Sequence, residues 1–344
     1  MSLRADFGRI AERLWYGDSS LRWLLLPFSL MFGAVVAARR LAYRWGLLPS
    51  GHPGVPVIVV GNITVGGTGK TPFVAWLATR LAVAGMRPAI ISRGYGSRPH
   101  HGTLTVRADS EADVVGDEPL LLARKTGVPV MVDHRRFRAA RRAVEAGATV
   151  IVADDGLQHY ALGRDCEIAI VDARRGHGNG LLLPAGPLRE PPGRLGEVTL
   201  VLHHGSPPRG SALGFSLQPC QLVALSDGRQ VPLSRLAGRE VLAVAGIGDP
   251  TRFADTLRAG GLRPIVVAVP DHGLVDLALL RAGNDHPIVM TEKDAVKYPH
   301  CRDGDTWYLP VDVMVDSATM AELGRALRRV LPSLPAGFDY GPRP

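Results

Sequence analysis

From residue 55 onward, short β-branched runs alternate with stretches of helical periodicity. "VPVIVVGN" (55–62) is followed by "TPFVAWLATRLAVAG" (71–85), whose apolar positions recur at helical spacing and which closes on a glycine. Further strand candidates are "PAIISRGYG" (88–96), "PVMVD" (129–133), "ATVIVADD" (148–155) and "EIAIVDA" (167–173), with helical stretches between several of them. That alternation predicts a mainly parallel sheet with helices on both faces. The Pro- and Gly-rich stretches "PAGPLREPPGRLG" (184–196) and "HHGSPPRGSALG" (203–214) then interrupt it and put a domain junction near residue 215. Beyond it, "EVLAVAGIGDP", "RPIVVAVPDH", "HPIVMTEKD" and "TWYLPVDVMV" are strand-like, separated by helical runs such as "PTRFADTLRAGG". The expected organisation is an N-terminal helical segment over 1–45, an α/β domain over 46–215 and a smaller C-terminal α/β domain over 216–335.

The N-terminal segment has a different pattern. From Trp23 to Ala38 there are 16 residues without a charge, closed by Arg22 on one side and by Arg39 and Arg40 on the other. As a helix this spans about 24 Å, short of the ~30 Å hydrocarbon core of a bilayer. A membrane-dipping or barely spanning helix fits, with the arginines and Trp15, Trp23 and Trp45 at headgroup depth. A buried core helix is the competing reading. A cleaved signal peptide is disfavoured, because acidic residues precede the apolar stretch and no clear A-x-A site follows.

Composition sharpens this picture. At 344 residues the chain exceeds what one core usually organises, and at 46% hydrophobic and 21% charged it is globular. The formal charge is +8; the first 50 residues hold seven Arg against Asp6, Glu12 and Asp18, which is +4, half of the excess. Such a surface suits anionic headgroups, phosphorylated substrates or nucleic acid, and no RNA-binding or zinc-finger signature favours the last. Cys166, Cys220 and Cys301 are odd in number and far apart, against a disulfide framework or a CxxC metal site and in favour of a reducing cytoplasm. Of 40 basic residues only four are lysine, Lys70, Lys125, Lys293 and Lys297, so each retained lysine is a candidate for a specific task.

"GNITVGGTGKTP" (61–72) supplies the first such task. In the phosphate-loop pattern G-x-x-x-x-G-K-[ST], Gly69, Lys70 and Thr71 take the last three positions, while Thr64 stands where the first glycine belongs. Gly66 and Gly67 compensate inside the loop, so the main chain of Thr64, Val65, Gly66, Gly67, Thr68 and Gly69 can still form an anion nest at a helix N-terminus. Lys70 would then reach the β/γ-phosphates and the Thr71 hydroxyl would lie on Mg²⁺. Asp154 and Asp155, ending a neighbouring hydrophobic strand, are the metal-shell candidates; adjacent strand residues point to opposite sides, so one of them faces the metal directly. A guanine-reading N/T-K-x-D is approached by "IVMTEKD" (288–294), but its lysine sits one position late, which favours ATP.

The loop, "SRGYG" (92–96), "GDEP" (116–119), "DDGLQH" (154–159), "GNGLLLPAGPLREP" (178–191), "PDH" (270–272) and "TEKDAVK" (291–297) fall in an order that closely resembles the tetraacyldisaccharide 4′-kinase family of Gram-negative bacteria. The resemblance covers most of residues 50–300 and the apolar N-terminal helix. It implies a P-loop NTPase-type α/β fold and transfer of the ATP γ-phosphoryl to the 4′-hydroxyl of a tetraacylated glucosamine disaccharide 1-phosphate, giving lipid IVA, at the cytoplasmic face of the inner membrane. It further implies that Asp117 in "GDEP" is the base for the acceptor hydroxyl and that His272 in "PDH" pairs with it from the second domain, so that domain closure completes the site. A monomer is expected, with no nucleic-acid partner.

Without the family, Asp117 reads as a helix cap and His272 as a strand-end histidine. Gln158 and His159 either line the acceptor region or pack a loop; Arg189, with Glu190 in the Pro-rich loop, and Arg93 either meet substrate phosphate or are solvated charges. Lys293 and Asp294 either stabilise the second domain or meet the nucleotide. The run "HRRFRAARR" (134–142) reads as a solvated basic helix face. Leu157 and Tyr160 stand where the family often has Phe and Arg, which puts a phosphate contact at 160 in doubt. A membrane-bound nucleotide switch without lipid acceptor, and a soluble small-metabolite kinase, are the rival readings.

Overall fold

The computed structural model describes residues 3–205, 213–270 and 273–340. Two helices come first, α1 (Leu3–Tyr16) and α2 (Leu21–Arg44). A large sheet follows, from β1 (Val57–Gly61), β2 (Pro88–Ser92), β3 (Leu104–Val106), β4 (Val130–Val132), β5 (Val150–Asp154), β6 (Cys166–Asp172), β7 (Leu200–His204) and β8 (Gly214–Pro219). A smaller sheet holds β9 (Leu222–Ala224), β10 (Gln230–Val231), β11 (Glu240–Ala245), β12 (Arg263–Ala268), β13 (Ile288–Thr291) and β14 (Thr306–Leu309), after which β15 (Val311–Val315) rejoins the large one. The intervening helices are α3 (Lys70–Val83), α4 (Ala112–Val115), α5 (Asp117–Thr126), α6 (Arg136–Glu145), α7 (Pro250–Ala259), α8 (Leu277–Ala282), α9 (Glu292–Ala295) and α10 (Ser317–Val330).

The large sheet runs β15-β8-β7-β6-β1-β5-β2-β4-β3, parallel from β8 to β4 and closed by an antiparallel strand at each edge. β1 is buried on both faces because its residues alternate between two cores. Ile58 and Val60 pack with α3, α5 and α10, while Val57 and Val59 pack with Ala139, Ala140 and Ala143 of α6. This matches the sequence-based expectation of a parallel sheet with helices on both faces. From β1 the chain winds outward toward β2 and later returns to place β6 on the other flank, so the crevice lies beyond the carboxyl ends of β1, β5 and β6.

The second unit has its own core, built on Val241, Ala243, Phe253, Leu257, Val289 and Trp307. Its boundaries differ from the expected 216–335. "TWYLPVDVMV" is not one strand: β14 pairs with β13 and β9 in the small sheet, and β15 pairs antiparallel with β8 in the large one. Pro310, which has no N–H to give a ladder, stands at the crossing and accepts from Cys220 N at 2.9 Å. The chain thus enters the small sheet after Pro219 and leaves it at Pro310 along a paired ribbon. α10 then completes the large core with Met320, Leu323 and Leu327.

The N-terminal segment is two helices rather than one. α2 is long and apolar enough to cross a membrane, with a mean hydropathy of 1.8 and only 6% of that stretch buried. One narrow face docks on the 178–190 loop. Ser29 Oγ donates to Leu182 O (2.8 Å) and accepts from Ala185 N (2.9 Å), and Gly33 lies so close to Leu182 that an added Cβ would come within 2.8 Å of it. Trp23, Leu24, Phe28, Leu30, Met31 and Val35 are exposed on the rest of the helix.

Candidate active site

The segment between β1 and α3 carries Thr64 to Thr71 around the mouth of the crevice. Its shape depends on glycine at Gly66 (φ +108°) and Gly69 (φ +84°), backbone conformations that side chains disfavour. At Gly69 space is also decisive, because a Cβ would come within 2.7 Å of His204 Nδ1. The entry to the loop is zipped to the Pro-rich segment: Val65 N donates to Pro187 O (2.8 Å), Arg189 N donates to Ile63 O (2.7 Å), and Thr64 bridges Leu188. Lys70 opens α3, where first-turn N–H groups have no intrahelical partner and favour an anion. Its Nζ donates to Asn62 Oδ1 at 3.1 Å and lies 3.6 Å from Asp155 Oδ1. Asn62, next to the loop, is a residue that the motif pattern does not flag.

The structure separates the two carboxylates. Asp154 ends β5, is 1% exposed, and its Oδ1 has no hydrogen-bond partner among the described residues. Burial, with Glu118 and Asp155 nearby, pushes its pKa up to about 7 against Lys70 and Arg136. Asp155 turns away at φ +47° and lies between Lys70 and Arg189, whose Nη1 is 2.9 Å from Oδ2. Burial opposes its ionisation, but Lys70, Arg189 and Arg136 outweigh burial and hold the carboxyl well below the usual range. Arg136 corrects the expectation of a wholly solvated helix face. Arg135, Arg138, Arg141 and Arg142 of that run are exposed, whereas Arg136 is 5% exposed and donates to Asp155 O at 2.7 Å. Its place at the first turn of α6, one residue before the apolar stripe position Phe137, is the only signal the sequence held.

Gln158 donates to Asn62 O (3.0 Å) and to Glu190 Oε2 (2.8 Å), and Tyr160 donates its hydroxyl proton to Glu190 Oε1. Glu190 is fully buried, so it is no solvated loop charge. Burial and Glu190 push the Tyr160 hydroxyl up to about 12, which keeps it a neutral donor. His159 lines the cavity as a neutral ring, because burial and the surrounding Arg136, Arg164, Arg39 and Arg93 bring its pKa down to about 4. Arg93 is exposed on the same wall.

Across the crevice, "TEKDAVK" meets the N-terminus of α5. Lys293 Nζ lies 3.0 Å from Glu118 Oε1 and 3.9 Å from Asp117 Oδ2; Lys297 Nζ lies 3.6 Å from Asp117 Oδ2 and 2.8 Å from Asp294 Oδ1. Asp294 also accepts from Gly246 N (2.9 Å) and Thr291 Oγ1 (2.6 Å), so it organises the small unit. Glu118 and Lys293 line the cavity, while Asp117, 4% exposed, sits behind them with Oδ1 accepting from Glu118 N at 2.9 Å. His272 lies outside the described residues. The cavity is about 1410 Å³ and runs from the loop and Asp154 to Phe32, Val35 and Val36 of α2.

The chain matches the tetraacyldisaccharide-1-P 4′-kinase family over residues 21–330. It is 48% identical to the tetraacyldisaccharide 4′-kinase of Alkalilimnicola ehrlichii over 306 residues, covering 89% of this chain and 92% of the relative. It is 45% identical to that of Methylobacillus flagellatus over 329 residues, covering 95% and 98%. The crystal structure of LpxK from Aquifex aeolicus in complex with ATP superposes with a TM-score of 0.73 at 30% identity, covering 90% of this chain and 99% of that one.

Proposed function

The chain belongs to the tetraacyldisaccharide-1-P 4′-kinase family, ATP-dependent kinases that phosphorylate the lipid A precursor, and from that premise we propose how its own residues carry the transfer. The observation that carries the reading is the single cavity joining an anion-binding loop to the apolar residues of α2. One end suits a triphosphate and the other suits acyl chains, as a kinase with a lipid acceptor requires.

The main chain of residues 64–71 cradles the ATP phosphates, and Lys70, already aimed by Asn62 and Asp155, reaches the β/γ-phosphates. Phosphoryl transfer asks a protein mainly for charge neutralisation and in-line placement. Asp154, with a buried oxygen that has no partner among the described residues, and the Thr71 hydroxyl fit a divalent ion and would hold Mg²⁺. When bound, the ion neutralises charge on the β- and γ-phosphate oxygens. Asp155 serves instead to orient Lys70 and Arg189. Asp117 takes the proton of the acceptor hydroxyl, helped by His272, with Lys293 and Lys297 fixing the carboxylate from the small unit. Arg93, Gln158, His159, Arg189 and Glu190 shape the acceptor side. The exposed face of α2 lies in the inner membrane at its cytoplasmic side, which keeps the acyl chains in lipid while the sugar reaches the loop. A single chain supplies all of these groups, and a monomer suffices.

The test is transfer of labelled γ-phosphate from ATP to a tetraacylated disaccharide 1-phosphate in detergent micelles, with GTP and lipid-free controls. Label on the lipid with ATP alone is the expected result. Free phosphate released regardless of lipid would refute the acceptor assignment.

A further inference from the structure

The small unit meets the phosphate loop directly at one point and through His204 at a second. At the first, Gly248 lies backbone to backbone against the loop, so close that a Cβ there would come within 2.3 Å of Gly67 N. Arg175 holds this segment, donating to Gly248 O at 2.7 Å. At the second, Arg252 of α7 reaches across the ends of β6 and β7. Its Nη2 donates to Asp172 Oδ1 at 2.7 Å, and its Nη1 is 2.9 Å from His204 Nδ1. A guanidinium only donates, so His204 Nδ1 accepts and Nε2 carries the ring proton. Burial, then Arg252, brings the His204 pKa down to about 4, consistent with that neutral ring, and the ring makes a main-chain hydrogen bond with Thr68. The ring is fixed on its face by Phe215 (centroids 5.2 Å, 11° between planes), which packs on Phe73 of α3. The loop is fitted to this histidine, since only glycine can occupy position 69 above Nδ1.

We propose that Arg252 and His204 form a latch through which the small unit sets the conformation of the phosphate loop: Arg252 fixes the ring, and the ring holds the main chain at Thr68 and Gly69. The proposal rests on residues 64–71 being the phosphate loop and adds two positioning residues that no motif contains. In it, ATP affinity depends on the Arg252–His204 contact, which lies apart from the Lys293 and Lys297 contacts that the small unit makes with Asp117.

The test uses the full chain with Arg252→Met, His204→Phe and the double variant. Phenylalanine keeps the stack on Phe215 and removes Nδ1. Each single change is expected to raise KM for ATP by about 10-fold, the scale of one lost charge-assisted hydrogen bond, with KM for the lipid acceptor unchanged. The double variant is expected to lose no more than either single one, because both break one connection. Amide hydrogen exchange at 66–70 in the ATP-free protein should be faster in all three, a readout independent of turnover. Additive losses, or exchange at 66–70 like that of the native protein, would overturn the latch. Arg252→Lys, which keeps charge and bulk, is expected to recover part of the ATP affinity; if Arg252→Met does not fold, Arg252→Lys and His204→Phe decide the matter by the same exchange measurement. Lys70→Ala separates the latch from the reading beneath it: ATP binding lost there with Arg252→Met unaffected overturns the latch alone, and normal ATP binding by Lys70→Ala overturns both.

Discussion

Lys70 and Asp117 are the side chains whose removal says most about the chemistry. Lys70→Ala should weaken ATP binding and turnover together, because in the proposed site Nζ would serve the ground state and the transition state alike. Asp117→Asn should instead lower kcat by about 10²–10⁴-fold with ATP binding retained, the usual size of a general-base effect. Glu118→Gln is the necessary companion, since Glu118 faces the cavity and Asp117 lies behind it. If Glu118→Gln carries the larger loss, the base is Glu118. His204 gives a pH signature of a different kind. Its folded pKa, about 4, is below the ordinary 6.5, so its contribution to stability is complete above pH 6.5 and is lost as pH falls through about 4. A shift of that size is worth roughly 3 kcal/mol. His204→Phe should therefore flatten the fall in stability between pH 6.5 and 4, measured by urea unfolding across that range. Much of this site was legible in the sequence: Gly66, Gly69, Lys70 and Thr71 stand in a pattern whose strand and helix context was also visible. Asn62, Arg136, His204 and Arg252 were not: no pattern marks Asn62, eight residues before the lysine it meets, the other three act through contacts distant in sequence, and nothing local distinguishes Arg136 from the four exposed arginines of the same run.

At the scale of elements, α2 presents two different faces, one docked and one apolar and exposed. Ser29 and Gly33 dock it on the 178–190 loop, and that loop is zipped to the phosphate loop, so the helix is tied to the site through main-chain hydrogen bonds. Its other face leaves Trp23, Leu24, Phe28 and Met31 in solvent, an apolar stripe that a membrane surface would cover. Replacing Leu24 and Met31 by Glu removes about 1.5–3 kcal/mol of burial per side chain. Vesicle co-sedimentation should then fall by 10-fold or more, with transfer to lipid in detergent micelles intact. Unchanged binding to vesicles would remove α2 as the anchor. The uncharged run 23–38 announced this helix, but its true length, 24 residues, includes the flanking arginines, which a count of uncharged residues leaves out. Strand boundaries in the second half were less legible for a related reason. "TWYLPVDVMV" has one continuous strand pattern, and only the partners offered by two different sheets divide it at Pro310.

That division governs the molecule as a whole. Residues 311–340 follow the small sheet in the chain but belong to the large core: β15 closes its edge against β8, and Met320, Leu323, Leu327, Leu331, Leu334 and Phe338 are buried in it. Full burial of such side chains is worth about 1.5–3 kcal/mol each, and six of them together rival the ~5–15 kcal/mol by which a domain is stable. The large unit is therefore expected not to fold from an N-terminal fragment. A chain ending at residue 310, or one confined to 46–215, should be insoluble or lack cooperative thermal unfolding, even though it contains the whole phosphate loop and both Asp154 and Asp155. A fusion of 1–219 to 311–340 through a short Gly/Ser linker should recover solubility and a cooperative transition by circular dichroism, because it restores the β8–β15 pair and α10. It should still fail to phosphorylate lipid, since Lys293, Lys297 and Arg252 all come from the missing unit. A soluble, cooperatively folding 46–215 fragment would show that the C-terminal return is dispensable. A fusion that folds but turns over at the native rate would show that the small unit contributes nothing to the reaction.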